Sequence, residues 1–296
     1  MSDAADARIR SLPLWEGEIA WEPLTGGLSN ESFLVRDRGG RYVVRFGRDF
    51  PFHHVSRARE VMVARAAHAA GLAPELVYDA PGVMVSRYVE GITYGPEEVQ
   101  ANIPRVAEIV RAFHRRMPQE VSGPGYLFWV FHVVRDYART LSAGESRLAG
   151  RLPEFLALNA EFEAAQVPLP IVFGHQDLLP ANFLDDGRRL WLIDFEYAGF
   201  STALFDLAGV ASHGLFDGRQ SEELLTLYFG EPPGPALRQA QAAMQCAALL
   251  REALWSLVSE LYLDIPGVDY VAYTQQNLDL LAAALERYRR LYGKAP

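Results

Sequence analysis

The first ninety residues show an alternation of hydrophobic and polar positions that is typical of β-strands. Stretches rich in Ile, Val, Phe, Tyr and Trp occupy residues 18–24, 31–36 and 41–46, and glycine-containing turns separate them, which predicts an antiparallel meander. Residues 56–70 change to a helical composition that stops at Gly71. Two further strand-like stretches follow, at 75–79 and 83–89. We therefore predict a β-rich lobe that contains one helix.

Beyond a boundary that contains Gly and Pro, the pattern is mainly helical. Apolar residues recur at helical spacing over residues 97–117, 127–141, 153–166, 235–263 and 270–292. Residues 171–194 interrupt it with two short apolar stretches around an Asp-Asp-Gly turn, which predicts a hairpin. We therefore predict an α+β fold of two lobes. Residues 1–90 form an antiparallel sheet with a helix, the hinge lies at about 85–92, and residues 91–296 form a helical lobe.

Polar residues around the hairpin have the spacing of a kinase catalytic loop. His175, Asp177 and Asn182 reproduce the pattern H-x-D-x-x-x-x-N, in which the Asp accepts a proton from the acceptor hydroxyl and the Asn binds metal. Asp194 follows an apolar strand, where the hairpin returns the chain beside the loop. Each residue alone is common in turns and caps, but their order and spacing favour phosphoryl transfer. We predict that His175 and Asp177 are catalytic, and that Asn182 and Asp194 bind Mg²⁺ through oxygen atoms.

The N-terminal lobe carries residue types that bind nucleotide phosphates. Arg45 lies on a predicted strand, where a protein kinase has its phosphate-pairing lysine, and Glu60 on the next helix is its expected ionic partner. A solvent-exposed Arg and Glu are the alternative, and the catalytic loop favours the functional interpretation. Between the first two strand stretches lies a loop whose backbone N–H groups can approach phosphate closely. In this loop we predict ATP contacts from Gly26, Gly27, Ser29 and Asn30.

Composition and charge limit the possible partners and compartments. No apolar stretch approaches the ~20 residues that a membrane helix needs, and the N-terminal residues lack a signal-peptide pattern. The single cysteine, Cys246, excludes an intramolecular disulfide, which fits the reducing cytoplasm. The net charge of −9 argues against nucleic acid or an anionic membrane as partner, and is compatible with a cationic small molecule. The sequence predicts no oligomeric state.

These motifs resemble the aminoglycoside phosphotransferase and choline/ethanolamine kinase superfamily, from about Leu24 to the C-terminus. Residues 192–208, LIDFEYAGFSTALFDLA, are similar to its choline kinase branch. The resemblance implies a protein-kinase-like fold with an ATP cleft between the lobes, where the linker that contains Ser86 and Tyr88 meets adenine. It also implies a kinase that uses ATP and Mg²⁺ to phosphorylate a hydroxyl of choline, ethanolamine or a similar amino alcohol.

The acceptor pocket that the resemblance implies is a cage of aromatic rings and a carboxylate around a cation. Trp255 resembles a tryptophan of the family's cage helix, but Glu252 replaces the second tryptophan, three residues earlier on the same face. The position of the family's pocket glutamate corresponds to about Ser212 and His213 in this sequence, so that carboxylate is missing. We therefore expect Glu252 to supply the negative charge from another direction. The other substrate contacts that we expect are Glu196, Tyr270 and Tyr273.

Two other functions remain open on the sequence. The same chemistry could act on another acceptor, such as an aminoglycoside, thiamine, or a sugar or amino-acid-like metabolite. A nucleotide-binding regulator without turnover is a third possibility. The presence of all three of Asp177, Asn182 and Asp194 argues against it, because a regulator has no need of the complete set.

Overall fold

The computed structural model describes residues 2–24, 30–265 and 267–293, which form ten strands and ten α-helices. The strands are β1 (Ala20–Leu24), β2 (Glu31–Asp37), β3 (Gly40–Phe46), β4 (Leu76–Ala80), β5 (Val83–Arg87), β6 (Ile92–Thr93), β7 (Ile171–Gly174), β8 (Phe183–Asp185), β9 (Leu190–Leu192) and β10 (Gly199–Thr202). The helices are α1 (Ser2–Arg10), α2 (Arg57–Ala69), α3 (Pro96–Ala101), α4 (Ile103–Glu120), α5 (Val130–Ala143), α6 (Leu152–Ala164), α7 (Ala203–His213), α8 (Gly218–Phe229), α9 (Pro235–Tyr262) and α10 (Tyr270–Tyr292).

The N-terminal strands form one antiparallel sheet in the order β1-β2-β3-β5-β4. Each of β2, β3 and β5 has a fully buried valine, Val35, Val44 and Val85, and Ile9 of α1 packs in the same cluster. Sequence periodicity did not predict α1, because most of its residues are Ala, Asp or Arg and its apolar face is narrow. Gly71 adopts a left-handed φ of +73° directly after α2, as its predicted role as a helix stop requires.

The rest of the chain is mainly helical and surrounds α9. This helix packs against α5, α6, α7 and α10, and its residues from Ala240 to Ser259 are nearly all buried. The predicted α+β class is therefore confirmed. One predicted helix, 97–117, is in fact two, because α3 ends at Ala101 and α4 begins at Ile103, ahead of Pro104. No helix in the described ranges is long and apolar enough to cross a membrane.

Two small sheets lie within the helical part. Strand β7 pairs with β10, and β8 and β9 form the predicted hairpin, which β6 extends. The catalytic-loop motif follows β7 directly and ends at β8, while Asp194 follows β9. The two sheets therefore set both ends of the loop and the position of Asp194.

Candidate active site

The loop after β7 has a constrained backbone. Gln176 has a left-handed φ of +66°, which non-glycine residues seldom adopt. The preceding Gly174 is required by space, since a Cβ there would lie 2.1 Å from Gln176 Nε2 and 2.8 Å from Asp206 Oδ2. The backbone N–H groups of His175 and Gln176 both donate to the Asp206 carboxylate, each at 2.7 Å. A buried anion on α7 thus fixes the start of the loop.

Asp206 also accepts a third hydrogen bond. His114 Nε2 lies 2.7 Å from its Oδ2, and His114 Nδ1 lies 2.7 Å from the Tyr228 hydroxyl. Burial alone would raise the pKa of Asp206, but the hydrogen bond and charge of His114 hold it below its usual value. Sequence analysis gave Asp206 no role. The sequence feature that could have indicated a role for Asp206 was an aspartate within an otherwise apolar stretch, Leu-Phe-Asp-Leu-Ala.

The His175 ring lies in the core behind the loop. It is fully buried, and it packs against Phe113 and Phe195. Its Nε2 donates to the backbone carbonyl of Ile193 at 2.9 Å. Because burial lowers the pKa of His175, the ring is neutral, with its proton on Nε2. The ring therefore ties the loop to the residue that precedes Asp194.

The structure brings Asp177, Asn182 and Asp194 together. Asn182 Nδ2 donates to the Asp177 carbonyl at 2.7 Å, and the N–H of Ile193 donates to the Asn182 carbonyl at 3.2 Å. Asp194 itself has a left-handed φ of +67°, a conformation that aspartate tolerates better than most residues. Within the described ranges no group of three or more His, Cys, Asp or Glu side chains is placed to hold a metal. Mg²⁺ needs only one or two protein oxygens when phosphates and water complete its shell, so Asn182 and Asp194 fit such an ion.

An alternating chain of charges joins the sheet to this centre. Arg45 of β3 forms ion pairs with Glu60 of α2 and with Asp194, the latter at 2.7 Å. Arg57 joins Glu60 to Glu196, whose Oε2 lies 3.0 Å from Arg57 Nη1. Burial would raise the pKa of Asp194, but the charge and hydrogen bond of Arg45 hold it below its usual value. Asp194 is therefore an anion at neutral pH.

Asp177 has the opposite electrostatic environment. Burial raises its pKa well above the usual range, and the Arg251 guanidinium opposes that rise. The nearby carboxylates of Glu252, Asp194 and Glu196 add to it. A carboxylate whose proton affinity is raised in this way is suited to act as a general base.

Aromatic side chains from α9 and α10 meet at Trp255. Trp255 Nε1 donates to the Tyr197 hydroxyl at 2.7 Å, and the indole stacks on His53 with ring centroids 5.0 Å apart. Tyr270 and Tyr273 meet the indole edge to face, at 6.1 and 6.3 Å. The three predicted cage aromatics thus form one cluster.

Glu252 joins this cluster through both of its oxygens. Oε1 accepts from the Tyr273 hydroxyl at 2.9 Å, and Oε2 accepts from Arg251 Nη1 at 2.7 Å. Arg251 Nη1 also lies 4.0 Å from Asp177 Oδ1. Sequence analysis did not select Arg251. The sequence feature that could have indicated Arg251 was the adjacent pair Arg251-Glu252 within the apolar stretch ALLREALW.

Other predicted residues lie apart from this cluster or outside the described ranges. Gly26, Gly27 and Ser29 lie outside them, and Asn30 is described directly ahead of β2. Ser86 lies within β5, opposite Val43. The N–H of Tyr88 donates to the Arg41 carbonyl at 3.0 Å, so it is not free for adenine. The predicted substrate residue Glu196 forms an ion pair with Arg57 of α2.

Comparisons with known proteins agree with this geometry. A choline/ethanolamine kinase family protein from Mesorhizobium loti shares 32% identity, covers 98% of this chain and 97% of its own, and superposes with a TM-score of 0.77. Choline kinase LicA from Streptococcus pneumoniae has the same fold at 22% identity, over 96% of this chain and 99% of its own, with a TM-score of 0.75. The predicted protein-kinase-like fold is confirmed.

Sequence comparison gives the same result. Protein LicA of Haemophilus influenzae is 26% identical over 88% of this chain and 78% of its own, and ethanolamine kinase 2 of Mus musculus is 26% identical over 90% of this chain and 76% of its own. The model of the phosphotransferase enzyme family (APH) matches residues 20–255. Since that match covers most of the chain, the protein belongs to the phosphotransferase enzyme family.

Proposed function

We propose that this protein is an ATP- and Mg²⁺-dependent kinase that phosphorylates a hydroxyl of choline, ethanolamine or a similar small amino alcohol. The observation that carries the proposal is the meeting of Asp177, Asn182 and Asp194 beside the Arg45–Glu60 ion pair. These are the components that phosphoryl transfer requires, in positions set by the loop and the hairpin. Relatives named as choline and ethanolamine kinases support the choice of acceptor.

Each residue has a role in this proposal. Asp177 accepts the proton of the acceptor hydroxyl, and Asn182 and Asp194 hold Mg²⁺. The metal, when bound, neutralises phosphate charge and orients the groups that react. Arg45, held by Glu60, pairs with the phosphates. His175 positions the loop, because its ring is buried and bonded to backbone.

The nucleotide and the acceptor enter from opposite sides of Asp177. ATP lies between residues 1–90 and 91–296, with adenine near the hinge at 85–92 and the phosphates near Arg45. The acceptor lies against Trp255, Tyr270 and Tyr273, whose aromatic faces attract a cationic group, with Glu252 nearby as a carboxylate. We place the enzyme in the cytoplasm, where ATP is available and where its buried free thiol stays reduced.

A coupled ADP-release assay over a panel of acceptors tests the proposal. The panel contains choline, ethanolamine, thiamine, an aminoglycoside and a sugar, each with and without Mg²⁺. We expect Mg²⁺-dependent turnover of an amino alcohol, and a fall in kcat of roughly 10²–10⁴-fold in Asp177→Asn, the usual contribution of a general base. The matched control is Asp264→Asn at an exposed position, which should turn over like the wild type.

Three results would contradict parts of the proposal. Turnover that survives in Asp177→Asn excludes Asp177 as the base. Turnover of only an aminoglycoside, thiamine or a sugar keeps the chemistry and changes the acceptor. Nucleotide binding with no ADP release for any acceptor favours a regulator.

A further inference from the structure

His53 is a buried histidine that the proposed mechanism does not use. It is 2% exposed and lies in a short helical turn, Pro51–His53, between β3 and α2. From there its ring reaches into the helical part of the chain. It stacks on the indole of Trp255, with the ring centroids 5.0 Å apart and the planes inclined by 23°. A residue from the proposed nucleotide-binding part of the chain therefore contacts the proposed acceptor pocket.

Hydrogen bonds fix the tautomer and the orientation of the His53 ring. The Ser259 hydroxyl donates its only proton to the Trp255 carbonyl at 3.0 Å. Ser259 Oγ also lies 2.9 Å from His53 Nε2, so it accepts a hydrogen bond from that nitrogen. Nδ1 then accepts from the Tyr137 hydroxyl at 3.3 Å. Burial and the charge of Arg251 lower the pKa of His53 well below its usual value. The imidazole is therefore neutral, and each of its nitrogens has a partner.

The residues on either side of His53 hold the turn against the helical part. The Phe52 ring stacks on Tyr262, with the centroids 4.9 Å apart, and His54 Nε2 lies 2.7 Å from Asp136 Oδ2. These contacts do not involve the tryptophan. The imidazole is therefore held in place independently of the indole, and it offers the indole a fixed surface.

The stack on His53 is the contact that sets the plane of the Trp255 indole. The hydrogen bond from Nε1 to the Tyr197 hydroxyl fixes one atom of the ring, which does not by itself set the tilt. Tyr270 and Tyr273 meet the indole at 65° and 87°. Among the ring contacts of Trp255 in the described ranges, only the one with His53 is nearly parallel. Because cation–π attraction acts through the face of an aromatic ring, the tilt of the indole affects how well it binds a cation.

We infer that His53 is a positioning residue for the acceptor, because it holds the indole of Trp255 in the plane that receives the acceptor's cationic group. The inference rests on the proposed function, since it assigns a support to the proposed acceptor pocket. The predicted contacts of that pocket, from Glu196 to Tyr273, all lie within residues 91–296. His53 adds a contribution from residues 1–90, so the pocket needs both parts of the chain.

Two variants of His53 separate the stack from the hydrogen bonds. His53→Leu and His53→Phe both remove the bonds to Ser259 and Tyr137, but only the phenylalanine keeps a flat ring against the indole. We expect KM for the amino alcohol to rise roughly fivefold to thirtyfold in His53→Leu, which corresponds to the loss of one desolvated cation–π contact. In His53→Phe the rise should stay below about threefold, because a ring of similar size is retained. KM for ATP and kcat should change little in either variant.

An uncharged ligand shows whether the indole face is the cause. In the carbon isostere of the amino alcohol a carbon atom replaces the nitrogen, so the shape is kept and the charge is lost. We would titrate both ligands calorimetrically, with a non-hydrolysable ATP analogue and Mg²⁺ present. His53→Leu should bind the amino alcohol more weakly and the isostere as the wild type does. Equal losses for both ligands, or equal losses in the leucine and phenylalanine variants, would overturn the inference.

The control for these measurements is His132→Leu, which makes the same chemical change at an exposed position and should match the wild type. If His53→Leu does not fold, His53→Gln takes its place with the same expectations. Glutamine has hydrogen-bonding groups for Ser259 and Tyr137 but no ring.

Fluorine NMR separates the inference from the proposed function. With fluorotryptophan incorporated, the five tryptophans give five signals, and Trp255→Phe identifies the signal of Trp255. We expect that signal to be sharp in the wild type and in His53→Phe, and broadened or divided in His53→Leu. A sharp signal in His53→Leu would overturn the inference, whether or not an amino alcohol is turned over. A broadened signal with no turnover of any amino alcohol would support His53 as the support of the indole and refute the proposed function alone.

Discussion

Replacing Asp206 with Asn should show how strongly a buried anion shapes the catalytic loop. The wild-type carboxylate is 2% exposed and accepts three N–H groups, all at 2.7 Å. Two of the donors are backbone amides of the loop, from His175 and Gln176, and the third is the ring of His114. In Asp206→Asn one oxygen becomes an NH₂ group, which has hydrogens to donate and meets donors that need an acceptor.

The magnitude follows from counting those donors. Oδ1 accepts from Gln176, whereas Oδ2 accepts from both His175 and His114, so either orientation of the amide leaves at least one N–H unmatched. A hydrogen bond to a charged group is worth roughly 1.5–3 kcal/mol. We therefore expect the free energy of unfolding to fall by about 2–4 kcal/mol. In the orientation that leaves a single N–H unmatched, Gln176 loses the bond that supports its left-handed backbone, and a resulting shift of the neighbouring Asp177 by about 1 Å would lower kcat roughly 100-fold.

Urea denaturation and the ADP-release assay measure the two effects on the same preparation. The exposed Asp264→Asn is the control, since it makes the same chemical change outside the core. We expect its midpoint and its kcat to match the wild type. A change in unfolding free energy below about 1 kcal/mol in Asp206→Asn, together with an unchanged kcat, would refute the idea that this carboxylate holds the loop.

Two further predictions concern the phosphate side and the core. Arg45→Met removes the cation that joins Glu60 to Asp194, so kcat/KM for ATP should fall roughly tenfold to a hundredfold. The control Arg36→Met, on the exposed surface, should have little effect on kcat/KM. An unchanged ATP dependence in Arg45→Met would contradict the role of Arg45. Burial raises the pKa of Cys246 to about 12, so a thiol reagent should modify it only after denaturation; rapid modification of the native protein would show that the thiol is accessible.

The features that sequence analysis predicted are those that short-range spacing encodes. Helical periodicity located α9 and α10 to within a residue. The hairpin between Asn182 and Asp194 was predicted because an Asp-Asp-Gly turn flanked by apolar residues has few other structures. Since a hairpin returns the chain to its starting point, the proximity of Asn182 and Asp194 followed from it.

The features that sequence analysis missed depend on contacts between distant parts of the chain. His114 reaches Asp206 across 92 residues, and Arg57 reaches Glu196 across 139 residues. Nothing in the local pattern around Asp206 tells whether its carboxylate caps a turn, faces solvent or binds a loop. The burial that makes the carboxylate important arises only when α4, α7 and β7 pack together.

The Arg251–Glu252 pair shows why the acceptor pocket was the least predictable part of the site. Adjacent residues on a helix point in directions about 100° apart, and i,i+1 neighbours do not normally face each other. Helical spacing places both residues on the side of Trp255, four and three positions before it, but it does not tell whether either charge reaches solvent. In the folded protein α9 is enclosed by neighbouring elements, so neither charge can reach solvent, and each is stabilised by the other. Enclosure of the helix, rather than its own sequence pattern, is what turns two adjacent charges into one buried ion pair.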